Sequence, residues 1–270
     1  MHYTVAVIYD DETSSVDEML APFDENLEVD AHIYKTKDEL IEYSKKALQD
    51  LKEAMSEYDK NPDENKKPYW LDDDTNKLSE YYATLFACVT DQDYYDWYRK
   101  NNDNDLYDEE GNELSTYNPD SKWDWYVVGG RWEGGLTTKD GITCNEGIVK
   151  DMNFEADEKH LERCKRFWEV YVEGDAPKTK DEEDIKENTF YNKEYYLDKY
   201  KTKEAYIDSK RHEVAYAILT PDGVWHEPGK MGWFSSLGTY EDEVDFETNA
   251  YDRYVKPYED YNIALVDCHI

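Results

Sequence analysis

Apolar positions along this chain follow two periods. Runs rich in β-branched and aromatic residues mark strands at Tyr3–Tyr9, Trp125–Val128, Glu213–Thr220 and Ile263–Cys268, because such side chains suit a pleated surface. A helical stripe of Leu40, Ile41, Ala47, Leu48, Leu51, Ala54, Met55 and Tyr58 predicts one long helix. Thr36-Lys37-Asp38-Glu39 starts it as a capping box, in which the Thr hydroxyl accepts from a free amide and the Glu side chain reaches back to the cap N–H. Asn61-Pro62 ends it. This stripe reads as a core face. Weaker helical faces occur within Asp72–Lys100, Ala156–Val172, the Tyr-rich segment Tyr191–Tyr206 and Glu241–Tyr254. Asp140-Gly141 predicts a hairpin inside Leu136–Ile148, and Pro221-Asp222-Gly223 turns Glu213–Thr220 back into Val224–His226.

The order strand, helix, strand, hairpin strand, helix, strand predicts an α+β fold. Its expected form is a mixed sheet with helices mainly on one face, a ferredoxin-like core carrying helical insertions. At 270 residues the chain is read as a single α+β domain, 1–270. Glu173–Asn188 has few apolar anchors and many charges, so a mobile acidic and helical insertion is expected around 173–210.

Composition narrows the function classes. Hydrophobic residues make up only 39% of the chain, and 26 residues are Tyr, which can supply core and contact surface together. There are 65 acidic against 31 basic residues, a formal charge of −34. That balance argues against direct binding of nucleic acid, which needs a basic footprint, and against an anionic membrane surface. Two readings of the acidity survive: solubility, and mimicry of a phosphate backbone that would occupy the basic groove of a host nuclease or CRISPR effector. Cys88, Cys144, Cys164 and Cys268 are far apart with no C-x-x-C pair, so no structural zinc site is expected. Acidic runs such as Asp72-Asp73-Asp74 read as solvated charge, so no metal is expected, and no cofactor fingerprint is present. Neither a signal peptide nor an apolar run near the ~18 residues of a membrane span is visible, so a cytosolic protein with reduced thiols is expected.

The densest stretch runs from Asn118 to Leu136 and holds Trp123, Trp125, Trp132, Gly129, Gly130, Gly134 and Gly135. Glycine amides, the Arg131 guanidinium and flat indoles would together suit a planar anionic ligand. Gly229-Lys230-Met231-Gly232-Trp233 repeats the arrangement in kind, a cation between glycines beside an indole. The candidate ligand-binding residues are therefore Trp123, Trp125, Gly129, Gly130, Arg131, Trp132, Gly229, Lys230 and Trp233. His226 and His269 stand in motif-like contexts and are the candidate catalytic acids or bases. His2, His32, His160 and His212 have no such context.

Asn118-Pro-x-Ser-Lys-Trp-Asp-Trp-Tyr-x-x-Gly-Gly-Arg-Trp132 also resembles the signature of a family of uncharacterised tailed-bacteriophage accessory proteins. Tyr3–Ile8, Leu20–Asn26, Pro228–Phe234 and the C-terminal Asp267-Cys268-His269-Ile270 share the likeness, while the acidic middle does not. The resemblance implies a phage protein made in the host bacterial cytoplasm, and brings no established activity. The leading expectation is a counter-defence protein that binds and sequesters a small nucleotide immune signal, with cleavage of that signal left open. The alternative is the acidic mimic, whose partner would be a host defence protein. The oligomeric state, homo-oligomer included, stays open at this point.

Overall fold

The computed structural model describes residues 1–62, 67–72, 77–229 and 238–270. The chain divides into two compact units, Met1–Leu27 with Asn118–Ile270, and Glu28–Tyr117; the sequence pattern had suggested one domain. The first unit opens with β1 (His2–Tyr9) and α1 (Val16–Leu20). The second unit then supplies β2 (His32–Lys35), α2 (Lys37–Lys60), α3 (Glu80–Phe86), α4 (Asp91–Asn101) and β3 (Glu113–Ser115). The chain returns to the first unit with β4 (Trp125–Val128), β5 (Leu136–Thr137), β6 (Thr143–Cys144), β7 (Glu146–Ile148) and α5 (Glu158–Phe167). It closes with α6 (Lys180–Asn188), α7 (Lys193–Tyr200), α8 (Lys203–Asp208), β8 (Ala217–Leu219), β9 (Trp225–His226), α9 (Tyr240–Ala250) and β10 (Asn262–His269).

The expected α+β class is what forms. The first unit is built on a mixed sheet in the order β4-β10-β1-β8-β9, with β7 also paired to β10. The four strands expected from the apolar runs all lie in it. β1 and β10 pair antiparallel along their full length, from His2 opposite His269 to Tyr9 opposite Asn262. β1 and β8 run parallel, whereas a ferredoxin-like layer alternates throughout, so the finer topology departs from that expectation. The expected Glu213–Thr220 strand shortens to Ala217–Leu219, its earlier residues being drawn off by the Glu213 N–H, which bonds the Phe154 carbonyl.

β1 and β10 are apolar almost without interruption because both their faces are covered. Val5, Val7, Ala217, Ala264, Val266 and Cys268 meet Val16, Leu20, Phe23 and Trp123 on one face. Ala6, Ile8, Ile218, Ile263 and Leu265 meet Phe154, Phe246, Ala250 and Val255 on the other. Ile263 and Leu265 thus oppose Val5 and Val7 instead of sharing their face, since antiparallel register sets Val5 against Val266.

The segment around 173–210, expected as a mobile acidic and helical insertion, holds α6, α7 and α8. Arg166 clamps the start of α6, donating to both carboxylate oxygens of Glu182 at 3.1 and 2.9 Å. Tyr200 and Tyr206 pack with Cys164 and Trp168 in a separate cluster. Lys199 is buried against Glu243 (2.7 Å) and Glu247 (2.8 Å).

In the second unit, Thr36 and Glu39 form the expected capping box at the head of α2. Leu40, Ile41 and Leu48 of that helix pack on Leu85, Tyr95, Trp97 and Tyr98. The buried carboxylate of Glu113 accepts from the Tyr98 hydroxyl and from the Asn102 and Asn104 amides, which satisfies it without a cation.

Candidate functional site

Full-length pairing of β1 with β10 carries the first residue of one strand beside the last residue of the other. Residues two apart share a face, so His2, Thr4, Asp267 and His269 line the same side of the sheet. β4 adds Trp125 opposite His269. Trp125, His269 and His2 therefore stand in a row across three strands. The indole stacks on the His269 ring (5.2 Å, 13°), and the His2 ring meets it edge-on at 5.1 Å and meets His269 at 4.9 Å.

Each imidazole has its own carboxylate. Nδ1 of His2 is 2.7 Å from Asp267 Oδ1, and Nδ1 of His269 is 2.8 Å from Asp124 Oδ1. Such bonds fix ring orientation and tautomer, and leave Nε2 as the working nitrogen. Nε2 of His269 has the Met1 nitrogen at 3.2 Å. The His2 side chain keeps 13% of its surface exposed and that of His269 31%, against 3% for Asp267. Burial alone would raise the Asp267 carboxyl. Hydrogen bonds from the Arg131 N–H (3.0 Å) and from His2, with the Arg131 charge nearby, hold it below the usual carboxylate range instead.

The Gly-Gly-Arg-Trp turn lies against this corner, and its glycines serve close packing within the protein. Gly129 (φ +74°) has the Asn145 side chain where a Cβ would stand, 2.5 Å away. Gly130 (φ +52°) has Asp267 Cβ at the same 2.5 Å. The amides of this turn are used internally: Gly129 N–H bonds the Leu265 carbonyl at 2.8 Å, and Gly134 N–H bonds Asn145 Oδ1 at 2.6 Å. Of the glycine amides expected to form a cradle, those of Gly129, Gly134 and Gly135 therefore already bond the protein's own acceptors. The Arg131 side chain is different: it is exposed and makes no ion pair among the described residues. Trp132 stands at the edge of a cavity of about 250 Å³, lined also by Thr4, Ala6, Leu136, Phe154 and Leu265. Glu213 lines it too. Thr4 faces Asp267 across the strand pair, so this mainly apolar recess begins where the histidine row ends.

The other expected site residues fall elsewhere. Trp123 is core, its Nε1 donating to the Leu20 carbonyl at 3.1 Å on the opposite face. His226 lies on β9, stacked on Tyr254 at 3.9 Å with Nε2 3.2 Å from the Thr220 hydroxyl; burial lowers its pKa. Three strand spacings, about 14 Å, separate its strand from that of His269, so the two expected histidines do not form a pair. Gly229 packs near Gly238, while Lys230 and Trp233 lie outside the described residues, as do Asp73 and Asp74. Among the described residues, no group of three or more His, Cys, Asp or Glu side chains could hold a metal ion.

A second cavity of about 490 Å³ is lined by His160, Lys199, Lys210, His212, Glu243 and Glu247 among others. Its cations are already neutralised, since Lys210 pairs with Glu247 at 2.9 Å and Lys199 with both glutamates. His2, Asp124 and Asp267 are what sequence reasoning missed. The available signal was positional: a histidine at the outer end of each of the two longest apolar runs. No family model, curated protein or solved structure matches the chain. No helix among the described residues is long and apolar enough to cross a membrane.

Proposed function

We propose that this chain binds a small nucleotide at the histidine corner of its sheet. The observation that carries the reading is the exposed side chain of Arg131, without an ion pair among the described residues, whose main-chain N–H bonds Asp267 and whose charge acts on that carboxylate, in a corner that also holds an exposed indole and two carboxylate-held imidazoles. In a chain with 65 carboxylates an anion needs a local cation, and Arg131 offers a bidentate fork suited to phosphate. Trp125 offers a stacking surface, and the recess beneath Trp132 offers an apolar place for a base or sugar. The His2 and His269 rings would face the phosphate as hydrogen-bond partners. In the setting that the phage resemblance suggests, the ligand is a nucleotide immune signal of the host bacterium and its capture blunts the defence.

Isothermal titration with a panel of mono-, di- and cyclic nucleotides tests this. Arg131→Ala should lower affinity more than tenfold, as loss of a charge-assisted bond worth about 1.5–3 kcal/mol requires. Its melting temperature should hardly move, because exposed substitutions usually stay within about 0.5 kcal/mol. Absence of heat for every nucleotide, or equal binding by Arg131→Ala, removes the reading.

A further inference from the structure

We infer that His2 and His269 form a proton-transfer pair that cleaves ribonucleotide 3′,5′-phosphodiesters by attack of the substrate's own 2′-hydroxyl, an inference that rests on the nucleotide reading above. A histidine held in a fold for structural reasons needs one partner. Here two stand 4.9 Å apart on neighbouring strands, each with Nδ1 on a separate carboxylate at 2.7 or 2.8 Å. Both rings are further fixed by Trp125, stacked on one and edge-on to the other. Among the described residues no side chain bonds the Nε2 of His2, and Nε2 of His269 faces only the Met1 nitrogen. Two imidazoles held from Nδ1 on the same side of the sheet can act as base and acid on one substrate. Arg131 supplies the charge that a phosphorane dianion requires.

The step balances without a co-reactant. One imidazole takes the proton of the 2′-hydroxyl. O2′ bonds to phosphorus as the bond from phosphorus to O5′ breaks, and the other imidazolium gives its proton to O5′. The products are a 2′,3′-cyclic phosphate and a 5′-hydroxyl. The two rings have exchanged protonation states, which solvent resets. Asp267 and Asp124 are positioning residues, holding each ring from Nδ1. The charged groups facing the pair are these two carboxylates, the Arg131 guanidinium and the Met1 amine, so rate against pH should be bell-shaped.

The full chain is incubated with a complete panel of ribodinucleoside monophosphates and 3′,5′-cyclic dinucleotides, with 2′-deoxy counterparts as controls, and products are identified by mass spectrometry. Cyclic-phosphate products are expected from ribo substrates and none from deoxy ones. His2→Asn and His269→Asn keep an amide donor near the Nδ1 position and lack Nε2. Each should lower the rate about 100-fold or more, a larger factor than the accompanying loss of nucleotide affinity. Asp124→Asn should displace one limb of the pH profile, which a purely structural role would not do. Intact ribo substrates that nevertheless bind overturn the cleavage and leave the binding reading standing. Substrates neither bound nor cleaved overturn both. Cleavage that ignores the 2′-hydroxyl, or that survives both Asn variants, also overturns the inference.

Discussion

Asp267→Asn tests the electrostatic core of this corner. Asp267 is 2% exposed and accepts two bonds, from the Arg131 N–H at 3.0 Å and from His2 Nδ1 at 2.7 Å. An asparagine fits the same space but has one acceptor oxygen for two donors. If that oxygen keeps the Arg131 N–H, the amide N–H₂ faces His2, whose ring proton must move to Nε2. Bonds to a charged partner contribute about 1.5–3 kcal/mol and neutral ones about 0.5–1.5, so the exchange should cost about 1–2 kcal/mol at pH 7. For a unit of this size that is a melting temperature about 2–8 °C lower. The pH dependence has a definite sign. The Asp267 carboxyl is depressed in the folded protein, so its contribution is fully present above the unfolded value of about 3.9. It is lost as pH falls from there through the folded value. The gap between wild type and variant should therefore be present at pH 7 and close below about pH 4. Thermal melts across that range measure it, and nitrogen-15 spectra of His2 report the tautomer. Equal melting at pH 7, or a gap that persists undiminished at the acid end, would refute the reasoning.

Three further outcomes are expected. Gly130→Ala forces a side chain into positive φ with its Cβ 2.5 Å from Asp267 Cβ, and should cost about 2–4 kcal/mol from strain plus overpacking, read by urea denaturation. Lys199→Met removes a buried ammonium bonded to two carboxylates; about 3–5 kcal/mol should be lost at pH 7, and the loss should shrink in acid as Glu247, held below the usual carboxylate range by Lys210 and Lys199 against the effect of its burial, protonates. Leu40→Ala empties a fully buried position in the second unit and should cost about 2–5 kcal/mol, with faster hydrogen exchange within Glu28–Tyr117.

Local features of the fold were legible wherever a short-range rule governs them. Thr36 and Glu39 bond each other as their spacing dictates. Gly141 (φ +82°) and Gly223 (φ +78°) turn the hairpins where Asp-Gly pairs stand. The strands of the sheet were visible as apolar runs, but their partners were not. Nothing in Val5 or Leu265 says whether they share a face until register is known, and both faces being buried erases the alternation that would reveal it. The division into two units depends on which segments contact one another, which the sequence does not display.

The candidate site shows the same limit at the level of chemistry. Sequence reasoning sought function in adjacency, a cation between glycines beside an indole. In the folded chain the glycines instead let the turn lie flat on β10, so the Arg131 main-chain N–H can reach Asp267 while its side chain points to solvent. Adjacency in the chain thus produced a packed turn carrying one exposed cation. The imidazoles of this corner come from positions 2 and 269 and meet only because β1 and β10 pair over their entire length. A single-residue slip of that register would turn every β10 side chain to the other face, burying Asp267 and His269 among Tyr3, Val5 and Leu20. The continuous apolar run that hid the register from the sequence also covers both faces of the strand pair, which fixes the register firmly enough to hold two histidines side by side.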